Sequence, residues 1–272
     1  MPELPEVETI ARELNAALPG RRIRTVRVFR ADALGGVPVR RFRAALEGEA
    51  FERVSRRGKF LVFHLQPRRY LVGHLRMTGK FAVSPRLPKP LPYHRAWFEL
   101  EDGGVLIFQD LRCFGTLAVV DELAAHPALA ALGLEPFSRR FTARWLGRAL
   151  GASRTPLKHW LMDQSKLAGL GNIYVAEILY AARLSPLRRS DALSRPEVGR
   201  LYRATRRTLR KAIHKSGTTI RDFRRVDEQT GEFQNFLRVY GKAGEPCPAC
   251  RTPIARVVQQ QRGTFYCPTC QT

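Results

Sequence analysis

The C-terminal end of the chain carries the stretch CPACRTPIARVVQQQRGTFYCPTC, from Cys247 to Cys270. It contains two Cys-x-x-Cys pairs separated by sixteen residues, a spacing that lets four thiolates converge on one tetrahedral metal ion. The stretch therefore predicts a zinc ribbon with one structural zinc ion, held by four ligands: Cys247, Cys250, Cys267 and Cys270. Because sulfur would fill all four coordination places, this zinc is not expected to activate a water molecule.

The residues between the two cysteine pairs include Arg256, three glutamines and Arg262, followed by Gly263-Thr264. This pattern predicts a basic hairpin tip that approaches a sugar-phosphate backbone. The fifth cysteine, Cys113, is interpreted as a small packing residue. A metal-binding cysteine set with one leftover thiol indicates a reducing compartment rather than disulfide bonds.

The composition indicates a polyanionic partner. The 272 residues include 47 Lys and Arg against 24 Asp and Glu, a formal net charge of +23, and 44% of them are hydrophobic. That length and apolar content predict about two domains with sizeable cores. The charge exceeds what solubility requires, although a merely soluble basic protein is the alternative. An anionic membrane would also fit, but there is no apolar run of about 18 residues and no signal peptide, so a cytoplasmic, nucleoid-associated protein is expected.

Hydrophobic periodicity predicts an α+β multi-domain chain. Apolar residues recur at helical spacing from Val7 to Leu18, and Pro19-Gly20 ends the pattern. From Arg21 to about Val120 the sequence consists of short stretches rich in Val, Phe and Leu, divided by turn signals such as Asp102-Gly103-Gly104. The helical period returns at about Phe141. A helix is therefore followed by a β-sandwich or barrel, and then by a helical domain.

Two helical stretches in the second half offer positive charge. Leu170-Gly171-Asn172 enters a helix whose N-terminus can bind a phosphate, with a tight turn and an Asn cap as the alternative. A long helix from about Pro196 to Ser216 carries seven Arg and Lys side chains, and Gly217 is its candidate C-cap. A charge run of this kind is usually a solvated helix face.

The first residues, Met1-Pro2-Glu3-Leu4-Pro5-Glu6, offer an amine nucleophile. Removal of Met1 would expose Pro2 as a secondary amine whose pKa is much nearer neutrality than that of a lysine. An amine that attacks the C1′ of a sugar forms a Schiff base, which promotes strand cleavage by elimination. A protonated Glu3 would act as proton donor. The alternative is structural: the prolines open a helix, and Glu3 and Glu6 favour its N-terminal dipole.

A lysine directly follows a turn in Arg56-Arg57-Gly58-Lys59-Phe60. At that place its ammonium can reach a phosphate or a reacting sugar. A surface hairpin lysine is equally consistent with the sequence.

These stretches together closely resemble the formamidopyrimidine-DNA glycosylase family over the whole chain. The stretches that carry the resemblance are Met1–Thr9, Arg57-Gly58-Lys59, Gly73–Gly79, Asp163-Gln164, Leu170–Tyr174, Gly217-Thr218-Thr219, Arg221-Asp222-Phe223 and the zinc ribbon. The resemblance implies three domains: a catalytic β-sandwich capped by the first helix over residues 1–130, a helix-two-turn-helix domain with a lesion-capping loop over 131–235, and a zinc finger over 236–272.

The same resemblance implies the activity and the partner. The chain would be a bifunctional DNA glycosylase and AP lyase of base excision repair, acting as a monomer on double-stranded DNA. It would flip oxidised purines such as 8-oxoguanine and formamidopyrimidines, opposite cytosine, out of the helix. Excision through a Schiff base on Pro2 would be followed by β,δ-elimination, with Glu3 as general acid/base and Lys59 as an assisting phosphate contact.

The resemblance also implies DNA-contacting residues. Three would fill the void left by the flipped base: Met77, Arg112 and Phe114. Four would contact DNA directly: His94, Arg112, Asn172 and Arg262. Three would shape the pocket for the damaged base: Glu6, Thr218 and Thr219. One stretch departs from the family pattern, because Leu111 and Cys113 replace a proline and a second arginine. This departure bears on which base the protein prefers opposite the lesion.

Two other interpretations of the function stay open. An endonuclease VIII-type glycosylase, which prefers oxidised pyrimidines, would share the fold, the nucleophile and the zinc finger, although Leu4 favours the purine branch. A non-catalytic zinc-ribbon DNA-binding protein would also explain the charge and the cysteines. It would give no reason for the Pro2-Glu3 pair beside Lys59.

Overall fold

The computed structural model describes residues 1–66, 68–219, 225–226 and 229–272. They form two compact units, the first made of Met1–Ala130 and Ser216–Glu232, the second of Ala131–Lys215 and Phe233–Thr272. The three-domain division expected from the sequence stays a prediction. No helix in the described part of the chain combines the length and the apolar character needed to cross a membrane.

The first unit is built mainly from β-strands. Its helices are α1 (Leu4–Ala17), α2 (Val39–Ala44) and α3 (Pro127–Ala130). Its strands are β1 (Ile23–Val28), β2 (Ala50–Arg57), β3 (Phe60–Gln66), β4 (Arg69–His74), β5 (Gly79–Ser84), β6 (His94–Leu100), β7 (Val105–Asp110) and β8 (Thr116–Val120). They pair as two antiparallel four-stranded sheets, with strand orders β2-β3-β4-β8 and β1-β6-β7-β5.

The two sheets of the first unit pack face to face. The ring of Phe81 on β5 lies 5.0 Å from that of Phe63 on β3 and 5.0 Å from that of Phe108 on β7. The apolar face of α1, which includes Ile10 and Leu14, belongs to the same buried core. The β-sandwich capped by the first helix, predicted from the sequence, is therefore confirmed.

Local chemistry sets the boundaries of these elements. α1 begins with a capping box, in which Glu3 and Glu6 each accept a hydrogen bond from the other's backbone N–H. Arg57 pairs with Phe60, so Gly58-Lys59 forms the two-residue turn of the β2–β3 hairpin, and Gly58 supplies the positive φ of +58° at the first turn position.

The second unit is helical and ends in a two-stranded hairpin. Its helices are α4 (Ala143–Gly151), α5 (Leu157–Met162), α6 (Asn172–Ala182) and α7 (Arg195–His214), and its strands are β9 (Ala255–Gln259) and β10 (Arg262–Tyr266). The C-cap of α7 is Lys215, and Ser216 and Gly217 follow with φ of +54° and +78°. The predicted C-cap, Gly217, is therefore two residues beyond the observed one. The helix ends earlier because the two residues that follow Lys215 both have a left-handed backbone conformation.

Candidate active site and metal centre

The start of the chain is fixed by the two carboxylates of the capping box. Pro2 is buried, and Glu3 and Glu6 are 3% and 2% exposed. The backbone N–H of Glu3 donates to Oε2 of Glu6 at 2.8 Å. Both carboxylates lie at the N-terminus of α1, where the helix dipole favours negative charge. Pro2 is consequently held directly before a rigid helix start.

Glu6 also binds the segment that follows α7. Its Oε1 accepts the backbone N–H of Thr218 at 2.7 Å. A Cβ on Gly217 would lie 2.8 Å from that same oxygen, and Gly217 has a φ of +78°, so only glycine fits there. Thr219 accepts the N–H of Gly231 through its Oγ1 at 2.9 Å. The structure thus brings Glu6 and Thr218 into direct contact, two of the three predicted pocket residues.

Part of the predicted lesion-capping loop, Thr218–Phe236, lies outside the described residues. This applies to residues 220–224 and 227–228, which include the motif Arg221-Asp222-Phe223. The described end of the stretch forms a short 3-10 helix, Phe233–Phe236.

The hairpin that carries Lys59 is tied to α1. Arg56 on β2 donates through Nε to Oε2 of Glu8 at 3.1 Å and through Nη1 to the carbonyl oxygen of Gly58 at 2.9 Å. Burial raises the pKa of Glu8, but the charges and hydrogen bonds of Arg56 and Arg12 outweigh it and lower the pKa overall. Lys59 is itself buried. This lysine is therefore a fixed part of the sandwich and not a loose surface side chain.

His74, at the end of β4, is a buried neutral imidazole. Burial lowers its pKa to about 3, with further contributions from the positive charges of Arg76, Lys59 and His126. Its Nδ1 accepts the N–H of Arg76 at 3.0 Å, and its ring meets Phe60 edge-on at 4.5 Å. With Nδ1 as acceptor, the proton of the neutral ring belongs on Nε2.

Two neighbouring loops carry the three predicted void-filling residues. Gly79 at the start of β5 pairs with Asp110 at the end of β7. The loop with Met77, which precedes β5, therefore lies beside the loop with Arg112 and Phe114, which follows β7. Met77 is 38% exposed and Phe114 is 53% exposed, which is unusual for large apolar side chains. The guanidinium of Arg112 lies 5.0 Å from the ring centre of Phe114.

Asp110 fixes both of these loops. Its Oδ1 accepts the hydroxyl of Thr78 and, at 3.1 Å, the N–H of Arg112, while its Oδ2 accepts the N–H of Gly115 at 2.6 Å. Between these contacts Cys113 has a φ of +56°. The loop of Arg112 and Phe114 is consequently held at both ends by one buried carboxylate.

His94 lies in an aromatic cluster at the start of β6. It is 4% exposed, its ring centre is 5.3 Å from that of Trp97, and its Nδ1 accepts the N–H of Leu91 at 3.1 Å. Burial, and then the charge of Arg95, lowers its pKa. The DNA contact assigned to His94 stays a prediction, and only 4% of this residue is exposed to make it.

In the second unit, Asn172 and the finger hairpin are joined. Asn172 is the first residue of α6, and its Nδ2 donates to the carbonyl oxygen of Gly263 at 3.0 Å. The same oxygen lies 3.2 Å from Nζ of Lys158, which also donates to Oγ1 of Thr264 at 2.6 Å. Arg262 precedes these contacts and is exposed. Two predicted phosphate contacts, Asn172 and Arg262, are thus held beside each other.

The four C-terminal cysteines form a cluster that fits a zinc ion. Their sulfur atoms all lie within 4.8 Å of one another, with 3.9 Å between Cys247 and Cys270 and 3.4 Å between Cys250 and Cys267. Tetrahedral coordination at a Zn–S distance near 2.3 Å requires sulfur atoms roughly 3.8 Å apart. The hydroxyl of Tyr180 on α6 lies 3.5 Å from the sulfur of Cys247. The donor set and its spacing therefore suit a structural metal.

Sequence reasoning missed three supporting residues. They are Asp110, Arg56 and Lys158. Lys158 lies on the short helix α5, where burial and the charge of Arg262 lower its pKa to about 8. A charged residue within an apolar helical stretch, as in Leu157-Lys158-His159-Trp160-Leu161, was the one available signal for Lys158.

Known proteins resemble this chain over its whole length. Three family models match: the formamidopyrimidine-DNA glycosylase N-terminal domain over residues 1–117, the formamidopyrimidine-DNA glycosylase H2TH domain over 132–224, and the zinc finger found in FPG and IleRS over 244–272. The formamidopyrimidine-DNA glycosylase of Exiguobacterium sibiricum is 44% identical over 274 residues, covering 100% of this chain and 99% of that protein. That of Symbiobacterium thermophilum is 43% identical, covering 100% and 89%.

Solved structures agree in fold. The MutM (Fpg) protein of Thermus thermophilus superposes with a TM-score of 0.89 at 43% identity, over 99% of this chain and 98% of that chain. The Lactococcus lactis Fpg in complex with DNA containing an abasic site gives 0.92 at 32% identity, over 99% of both chains. This chain belongs to the formamidopyrimidine-DNA glycosylase family, and it is a DNA repair glycosylase. The resemblance inferred from its motifs, and the predicted α+β multi-domain fold, are confirmed.

Proposed function

We propose that this chain excises oxidised purines, 8-oxoguanine and formamidopyrimidines, from duplex DNA and then cleaves the strand as an AP lyase. The observation that carries the proposal is the contact of Glu6 with both the helix start and Thr218. Because of it, one buried carboxylate joins Glu3, the residue directly after the proposed nucleophile Pro2, to the proposed base pocket. The related Lactococcus lactis protein has been crystallised with DNA that contains a formamidopyrimidine lesion.

The proposed chemistry begins with removal of Met1, which frees the secondary amine of Pro2. This amine attacks C1′ of the damaged nucleotide, the glycosidic bond breaks, and the base leaves with a proton. Glu3 donates and accepts protons at the sugar, since its carboxyl group lies directly beside the nucleophile in the sequence. Loss of a C2′ proton from the resulting Schiff base expels the 3′ phosphate, and a second elimination expels the 5′ phosphate. Lys59 contacts a phosphate during these steps.

DNA is held open by apolar and cationic side chains. Met77 and Phe114 are exposed apolar residues on two adjoining loops, and both fit the task of replacing a flipped base and wedging the stack. Arg112 contacts the orphaned cytosine. Thr219 completes the base pocket of Glu6 and Thr218.

Phosphate contacts come from His94, Asn172 and Arg262. Asn172 also benefits from the partial positive charge at the N-terminus of α6. One structural zinc ion per chain, bound by the four C-terminal cysteines, keeps the hairpin of Arg262 in place. The protein acts as a monomer in the cytoplasm, associated with the nucleoid, and its affinity falls steeply with salt because several phosphate contacts release counterions.

Borohydride trapping tests this proposal. The protein is incubated with duplex DNA that carries one 8-oxoguanine opposite cytosine, reduced, and mapped by mass spectrometry. We expect an adduct on Pro2, loss of the adduct and of strand cleavage in Pro2→Gly, and retention of both in the matched control Pro5→Gly.

Each other outcome points elsewhere. Trapping only on duplexes with an oxidised pyrimidine would assign the chain to endonuclease VIII-type specificity. Tight binding to lesion-free and lesion-containing duplexes alike, with no adduct and no cleavage, would leave a zinc-ribbon DNA-binding protein.

A further inference from the structure

One face of α7 carries a row of arginines that the proposed repair chemistry does not use. Arg200, Arg203, Arg207 and Arg210 follow one another at intervals of three or four residues, so they lie on the same side of the helix. All four are exposed. The ten steps from Arg200 to Arg210 correspond to about 15 Å along the axis at a rise of 1.5 Å per residue. We call these four residues the α7 arginine row.

The buried side of α7 holds the helix in place. Its buried residues are Val198, Leu201, Ala204, Thr205, Leu209 and Ala212. A further arginine, Arg206, lies off the row, where it donates to the carbonyl oxygen of Pro136 at 3.0 Å and covers the rings of Phe137 and Tyr202. The direction in which the row points is therefore set by the core of the second unit.

Among the described residues, little negative charge compensates the row. Arg200 lies 3.8 Å from Glu197, and no ion pair to a described residue is found for Arg203 or Arg207. A groove of about 740 Å³ is lined by the row together with Ala181, Tyr202, Ala204 and Arg206, with no carboxylate in the lining. Like charges at these intervals destabilise a helix, so the row carries a cost for folding that a polyanionic ligand would remove.

A second groove extends the same pattern. It has a volume of about 590 Å³ and lies along α4 and the first turns of α7. Arg144, Arg148 and Arg195 contribute to its lining, again without a carboxylate among the described residues. The positive charge therefore extends over the surface of both α4 and α7 and is not confined to one helix.

We propose that the α7 arginine row binds the phosphate backbone of a second segment of duplex DNA. Each strand of a duplex presents one phosphate per 3.4 Å of helix axis, so a 15 Å row faces about four phosphates, one for each arginine. The binding is independent of base sequence, because contacts to phosphate oxygens carry no direct sequence information.

The row lies away from the proposed lesion-side contacts of the same unit. The groove borders Ala181, near the C-terminal end of α6, whereas Asn172 is the first residue of that helix. The two are nine positions apart, about 13 Å along the axis. A duplex on the row would let the protein hold one DNA segment while its active site samples another, which shortens a search across separate segments.

The number of duplexes bound per chain tests this proposal. An undamaged duplex of 12 base pairs is titrated into the protein at low ionic strength, and the stoichiometry is measured by sedimentation. We expect two duplexes for the wild type, one for the triple variant Arg203→Gln, Arg207→Gln, Arg210→Gln, and two for the matched control Arg40→Gln, Arg41→Gln, Arg53→Gln. The control removes the same charge from exposed positions of the first unit.

Salt dependence gives an independent measure. For the second duplex, the magnitude of the slope of log Kobs against log salt should fall by about 0.9 in the single variant Arg207→Gln, since each phosphate contact contributes about 0.9. Cleavage of a lesion-containing duplex in a single turnover should not change, so failure of the repair activity and failure of this proposal can be told apart.

Three results would overturn the proposal. One is that the wild-type protein binds only a single duplex per chain, even if that duplex covers an extended area of the protein surface. Another is a triple variant that binds as many duplexes as the wild type. The last is capture of a poly-glutamate peptide in preference to the duplex, which would assign the row to an acidic protein partner.

Discussion

Glu6 carries two structural hydrogen bonds on one buried carboxylate. One oxygen accepts the N–H of Glu3 at the start of α1, and the other accepts the N–H of Thr218, more than two hundred residues later. An ionised carboxylate is an acceptor at both oxygens, and therefore it can satisfy two converging N–H groups where an amide cannot. At this position a single side chain joins the helix start to the later segment.

Replacement of Glu6 by Gln should lower the free energy of unfolding by about 1–3 kcal/mol, because one backbone N–H would then face an amide NH₂ in a buried place. Urea denaturation measures this. Glu52→Gln, at an exposed position, serves as the control and should cost less than about 0.5 kcal/mol. A loss in Glu6→Gln no greater than that of the control would mean that the two hydrogen bonds do not stabilise the fold.

His74 should make the protein less stable in acid. Its pKa in the folded state, about 3, lies below the ordinary 6.5, so the unfolded chain takes up the proton first as the pH falls. Stability present above pH 6.5 is then lost progressively towards pH 3. His74→Asn keeps an acceptor for the N–H of Arg76 and should flatten this pH dependence, whereas His214→Asn, at an exposed position, should not. Equal pH profiles for His74→Asn and the wild type, measured by urea denaturation, would contradict this.

At the scale of elements, short loops owe their shape to single buried acceptors. The loop from Leu111 to Phe114 has no regular structure, yet Asp110 holds its beginning and its end. The same aspartate reaches the neighbouring loop through Thr78. Exposed apolar tips can be held in a fixed position because the polar groups beneath them are paired.

Asp110→Asn should weaken binding to lesion-containing duplexes about tenfold or more while leaving binding to undamaged duplexes unchanged. The amide NH₂ of Asn would face one of the three groups that donate hydrogen bonds to Asp110. This meeting of two donors should destabilise the present conformation of the loop by about 1–3 kcal/mol. Fluorescence anisotropy with both duplexes measures the difference. Asp102→Asn, in the β6–β7 turn, is the matched control. An equal loss for the two duplexes would show that Asp110 supports the fold and not the loop.

The tip of the β9–β10 hairpin is strained. Gln260 and Gln261 have φ of +47° and +58°, a left-handed pair that suits Asn-Gly and costs other residues about 1–2 kcal/mol each. The double change Gln260→Asn, Gln261→Gly should therefore raise Tm by a few degrees, with duplex affinity retained. The control with two alanines keeps the strain and should bring no gain in thermal unfolding. A lower Tm in the Asn-Gly variant would show that the glutamine side chains stabilise the tip.

Periodicity and spacing were sufficient where a structure depends on residues close together in the sequence. Helix α1 followed from the repeat of Val7, Ile10 and Leu14, and the cysteine cluster followed from the positions of its four thiols. Contacts between distant residues were not accessible in this way. Nothing near Thr218 indicates that its N–H meets Glu6, and Lys158 gives no sign of its partner Thr264. Pairings of this kind depend on tertiary packing, which a local pattern does not encode.

At the scale of the whole molecule, a structural metal should matter for DNA binding and less for the first unit. Cys250→Ser should abolish the binding of one zinc ion per chain, release the contacts of Lys158 and Asn172 with Gly263, and weaken duplex binding at least tenfold. Metal analysis and anisotropy measure these effects. Cys113→Ser, the same change outside the cluster, should leave both unchanged. Full duplex affinity in metal-free Cys250→Ser would contradict the proposed role of the finger.

The first unit contains the segment Ser216–Glu232, which is joined to it only after α7 of the second unit. During translation the strands of the sandwich leave the exit tunnel early. The segment Ser216–Glu232 follows only after most of the second unit has been made. Until then the carboxylate of Glu6 lacks the N–H of Thr218. The first unit is thus completed late in translation, which would delay assembly of the proposed base pocket in a nascent enzyme.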